Sequence, residues 1–79
     1  MFINKSADGL NNICGKKIGL LRKEISLSQR ELADRLQLLG LDVDKNAIQR
    51  IECGKRFVTD IELKKIAEMF NVSVDELTK

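Results

Sequence analysis

The sequence predicts an all-α domain of five helices with no sheet. Three observations carry that expectation. Apolar residues recur at helical spacing in successive segments, and no segment alternates apolar and polar residues long enough to make a persuasive strand. Ser28-Gln29-Arg30-Glu31, Thr59-Asp60-Ile61-Glu62 and Ser73-Val74-Asp75-Glu76 are capping boxes, in which a hydroxyl and a Glu satisfy orphan backbone N–H groups reciprocally. No Pro interrupts any of these segments.

In chain order, residues 1–11 read as an N-terminal arm with little to bury, and residues 12–79 as the domain. Asn12 is the expected cap of helix one, which runs to about Glu24 with Cys14, Ile18, Leu21 and Ile25 in one stripe. Gly15 and Gly19 each cost such a helix about 1 kcal/mol relative to Ala, and close packing against another helix would explain them. Helix two opens at Ser28 and turns Leu32, Ala33, Leu36 and Leu39 inward, with Gly40 as its stop. Asp44 caps helix three, and Gly54 closes it in the left-handed conformation. Helix four carries Leu63, Ile66, Ala67 and Phe70 inward and ends at Asn71. A last short helix can bury Val74 and Leu77 beside Val72.

Helix three has the most pronounced division of faces. Ala47, Ile48 and Ile51 form its apolar back, while Lys45, Asn46, Gln49 and Arg50 form a front of long donors. Such donors suit base edges: Arg or Lys to guanine, Asn or Gln to adenine.

Seventy-nine residues suffice for one domain and leave no room for a second, catalytic one. At this size folding hides only roughly 60–65% of the unfolded surface, so nearly every apolar residue is needed for the core. Charged residues are 33% of the chain and balance to +2. The pI of 8.7 is only mildly basic, so charge placement has to carry any nucleic-acid argument. Two cysteines, Cys14 and Cys53, have no metal-type spacing, and there is no His. Zinc-finger ligand sets and the commonest general base are therefore missing, and no metal or cofactor is expected. No apolar run approaches the ~20 residues of a membrane span. No signal peptide is evident, and a cytoplasmic location with reduced thiols is the expectation.

Leu27-Ser28-Gln29-Arg30-Glu31-Leu32-Ala33, followed by Ile48-Gln49-Arg50-Ile51-Glu52-Cys53-Gly54-Lys55-Arg56, resembles the Cro/repressor-type (XRE family) helix-turn-helix regulators. Ile18 to Lys23 and Ile66 to Leu77 match as well, so the resemblance covers about residues 12–77. It implies a five-helix, lambda-repressor-like DNA-binding domain. One departure stands out. Ala33 and Ile48 lie fifteen positions apart, where the family commonly has about ten, and Gln37 replaces the usual turn Gly. The turn between helices two and three is thus extended by five residues, with Gln37-Leu38-Leu39 expected to prolong helix two.

Carried over residue by residue, the resemblance implies base contacts from Lys45, Asn46 and Arg50, with Gln49 a further candidate beside them. It implies phosphate contacts from Gln29, Lys55 and Arg56, and a structural ion pair between Arg22 and Glu52. The expected partner is double-stranded DNA carrying an inverted-repeat operator, bound by a homodimer. Phe57, Val58, Ile61 and Val74 are the candidate dimer residues, being apolar positions that the small core need not absorb. The implied function is a sequence-specific transcriptional regulator, a repressor, reading the major groove with helix 44–53 and needing no small-molecule ligand. The alternative is a protein-interaction module on the same fold, of antitoxin or anti-repressor type. An enzyme is not expected, because no nucleophile beside a base, phosphate-cradling loop or buried carboxylate pair can be assembled.

Overall fold

The computed structural model describes residues 10–78, which form five α-helices and no strand. The helices are α1 (Gly15–Glu24), α2 (Gln29–Leu38), α3 (Lys45–Glu52), α4 (Asp60–Phe70) and α5 (Val74–Thr78). The all-α, five-helix expectation holds. Residues 1–9, the larger part of the expected arm, lie outside the described residues.

Local sequence sets the helix starts. Ser28 Oγ accepts from Glu31 N at 3.0 Å, and Glu31 Oε1 accepts from Ser28 N at 2.9 Å. Thr59 and Glu62 repeat the exchange at 3.2 and 3.0 Å. Asp44 accepts from Ala47 N at 2.8 Å, closing the N-terminus of α3. Helix ends follow the same logic. Gly40 and Gly54 have φ of +94° and +79°, and Asn71 takes the left-handed position after α4.

The start of α1 differs from expectation. Its first residue is Gly15, and Cys14, the residue before it, makes no side-chain cap bond. Asn12 Oδ1 still accepts from Gly15 N at 2.8 Å, so the capping bond is made from three residues ahead. The other end of α1 needs a correction. Ile25, expected on the inward stripe, is 49% exposed. The helix stops at Glu24, and Ser26 swings the chain left-handed at φ 59°, which takes Ile25 off the stripe. Leu27 is buried in its place.

The core gathers Ile18 from α1, Leu32 and Leu36 from α2, Ile48 and Ile51 from α3, Ile66 from α4 and Leu77 from α5. Cys14 joins them as a small apolar residue, and burial pushes its thiol pKa up. Val74 does not join, remaining 38% exposed. The α3 helix packs its apolar back against both α1 and α2.

The α2 helix does run on, to Leu38, before Gly40 turns the chain. Leu41 N then bonds back to Leu36 O at 3.0 Å. Leu41 and Val43 are buried in the main core. Gln37 Nε2 donates to Val43 O at 2.8 Å, bracing the returning strand of chain against α2. The extra residues are thus a second, packed layer of the turn and lead directly into the Asp44 cap.

Candidate nucleic-acid interface

On the front of α3, Lys45, Asn46, Gln49 and Arg50 are all exposed. None of the four side chains is hydrogen-bonded or ion-paired with another described residue. Asn46 and Arg50 line a shallow open depression together with Asp44, Ala47 and Arg56. A row of unengaged long donors over a packed apolar back is the arrangement that helical readout of a groove requires.

Behind this front, α3 is locked in place by charge. Glu52 accepts from Arg22 Nε at 2.7 Å and from Arg22 Nη2 at 3.0 Å, a bidentate pair with both side chains about nine-tenths covered. Arg22 Nη1 reaches Leu27 O at 2.7 Å. The bonds to Glu52 raise the pKa of Arg22 above its already high value. Gly19 makes room for the carboxylate, since a Cβ there would lie 3.3 Å from Glu52 Oε1. Gly15 lets the start of α1 rest on the Ile51 carbonyl, with no space for a methyl group. Close helix packing is therefore the reason for both glycines.

Gln29 stands half-buried at the first position of α2, and its Nε2 donates to Glu52 Oε1 at 3.2 Å. The amide group is thus oriented by the same carboxylate that holds Arg22. Lys55 is exposed, and its backbone N–H closes the end of α3 on Arg50 O at 2.8 Å. Arg56 is placed differently from a free anchor. Its Nη1 and Nη2 donate to Glu62 at 3.0 and 2.8 Å, and Nη1 also reaches Phe57 O. The pairing lowers the pKa of Glu62 and raises that of Arg56. A lowered folded-state pKa means the pair's stabilisation is complete above the ordinary carboxylate range and is lost as pH falls through the folded value.

Three residues outside the expected site hold this loop. Asn12 Nδ2 donates to Arg56 O at 2.7 Å and to Ile51 O at 3.1 Å. Asn11 donates through its backbone to Gly54 O at 2.7 Å and through its side chain to Lys55 O at 2.9 Å. Leu10 covers Gly54 so closely that a Cβ would come within 2.6 Å of it. Leu10 and Asn11, read from sequence as arm, are therefore fastened to the end of α3. Their partners lie some forty residues away, beyond the reach of any local pattern.

A helix-turn-helix family model matches residues 18–77. The chain belongs to that family. Within it, the chain is of the Cro/XRE type, and the domain is a DNA-binding regulatory one. No curated protein and no solved structure matches the chain. No described helix is long and apolar enough to cross a membrane. Among the described residues no His, Cys, Asp or Glu cluster could hold a metal ion.

Of the candidate dimer residues, Phe57, Ile61 and Val74 are 52, 67 and 38% exposed. Val58 instead packs against the core of its own chain.

Proposed function

We propose that this helix-turn-helix protein is a sequence-specific transcriptional repressor that lays α3 in the major groove as one half of a homodimer. The observation that carries the reading is the front of α3: four exposed donors with no partner among the described residues, on a helix tied from behind by the Arg22–Glu52 pair. In this reading Asn46 and Gln49 serve adenine, and Arg50 and Lys45 serve guanine. Lys55 and the N-terminus of α2 at Gln29 face phosphates, where a cation and unsatisfied backbone N–H groups both attract anions. Arg56 joins them only by leaving Glu62.

Of the candidate dimer residues, Phe57 and Ile61 are the best exposed for a second copy of the chain, with Val74 less so. Two α3 helices would then meet an inverted repeat about 34 Å apart, one turn of duplex. The alternative, a module that binds a protein partner, draws support from the small net charge. Against it, the exposed face of α3 carries no apolar anchor of the kind interface cores favour.

Selection of bound sequences from random duplexes tests the proposal. The expected result is an enriched palindrome, with log affinity falling by about 0.9 per log unit of salt for each phosphate neutralised. Recovery of unselected sequence alone would sink it.

A further inference from the structure

Arg56 sits at the edge of the reading face, lining the same depression as Asn46 and Arg50. Its position is fixed at both ends. Asn12 holds its carbonyl at 2.7 Å, and Glu62 holds both terminal nitrogens of its guanidinium. Glu62 is itself fixed, because the Thr59 capping box orients its carboxylate through the Thr59 N–H at 3.0 Å. A guanidinium closed bidentately on a carboxylate has spent the fork that would grip a phosphate, and its charge is locally cancelled. Lys55, one residue earlier, has no such side-chain partner among the described residues.

We propose that Glu62 limits the sequence-independent part of DNA binding by withholding Arg56 from the phosphate backbone, a role that rests on the DNA-reading function proposed for α3. Phosphate contacts hold every sequence alike, whereas base contacts discriminate. One cation fewer on the backbone leaves random duplex less tightly bound, and the outcome depends more on the readers of α3. The pair is positioned to do this because it lies beside the readers and because the capping box keeps the carboxylate from wandering.

The test uses the full chain and Glu62→Gln, which keeps an acceptor for the Thr59 N–H and a residue type suited to that capping position. Affinity for random duplex is measured against salt for wild type, Glu62→Gln, the double variant Arg56→Gln/Glu62→Gln, and Glu68→Gln. The last removes one negative charge elsewhere on α4. Glu62→Gln is expected to steepen the log–log slope by about 0.9 and to raise random-duplex affinity roughly fivefold at physiological salt, the effect of one added phosphate contact. The double variant is expected to keep the wild-type slope, and Glu68→Gln likewise. An unchanged or shallower slope for Glu62→Gln overturns the proposal. So does a double variant that loses about 0.9, since Arg56 would then touch phosphate in the wild type. An equal rise from Glu68→Gln also overturns it, by reducing the effect to net charge. If the wild type itself shows no salt-sensitive binding to duplex, the function proposed for α3 fails and this role of Glu62 falls with it. Salt-sensitive wild-type binding with a flat Glu62→Gln response defeats the role of Glu62 alone.

Discussion

Glu52→Ala should destabilise the domain by about 3–5 kcal/mol, the usual cost of breaking one side of a covered ion pair. The carboxylate takes three hydrogen bonds, two from Arg22 and one from Gln29. Without it the guanidinium, only 11% exposed, keeps Leu27 O as its protein partner. A domain of this length has about 4–12 kcal/mol of stability in total. A loss of ~3 kcal/mol corresponds to a fall in Tm of roughly 12–24 °C for a domain of this size. Thermal melting followed by circular dichroism reads this directly. Replacing both partners, as Arg22→Met/Glu52→Leu, should recover most of the loss, because no uncompensated charge is then left covered. A Tm for Glu52→Ala within about 2 °C of wild type would show that the pair does not hold α1 to α3.

Gly15→Ala is the second large effect, and its sign is the informative part. In an unconstrained helix the change would stabilise by about 1 kcal/mol. Here the added methyl meets the Ile51 carbonyl, lying 3.1 Å from its carbon and 2.8 Å from Asn12 Oδ1. Backbone cannot swing aside as a side chain does, and Asn12 also bonds that same carbonyl at 3.1 Å. A net loss of about 1–3 kcal/mol is expected from the forced separation of α1 and α3. Denaturant titration decides it, and a stabilised variant would contradict the close approach. Both substitutions act on α3 from behind, so each is expected to weaken DNA binding only as far as it unfolds or shifts that helix.

The legible parts of this molecule are those whose physics is local. The capping boxes at Ser28 and Thr59 and the Asp44 cap join residues three apart, and all three form as the sequence implies. The two faces of α3 follow from periodicity alone. Ile25 leaves the apolar stripe because α1 ends at Glu24, an end that no Gly or Pro announces. Ser26 adopts the left-handed turn instead. The length of the α2–α3 connection was plain, but that Leu41 and Val43 would sink into the core depended on the returning chain meeting α2. The roles of Asn12 and Glu62 were hidden for a different reason. Each has a local duty, a cap bond or a capping box, which accounts for the residue type. Their second partners, Arg56 O and the Arg56 guanidinium, become neighbours only once α1 and α4 are docked around the loop.

Site-by-site base preference is the most direct test of whether the front of α3 reads sequence. Random-duplex selection should be run side by side on wild type, Arg50→Ala and Lys55→Ala. Arg50→Ala should lose preference at one base position of each half-site, at a cost of about 1–3 kcal/mol, and keep the rest of the motif. Lys55→Ala should return the wild-type motif with all sequences weakened alike. An Arg50→Ala motif unchanged at every position, or the same uniform loss from both variants, would contradict the assignment of reading to α3.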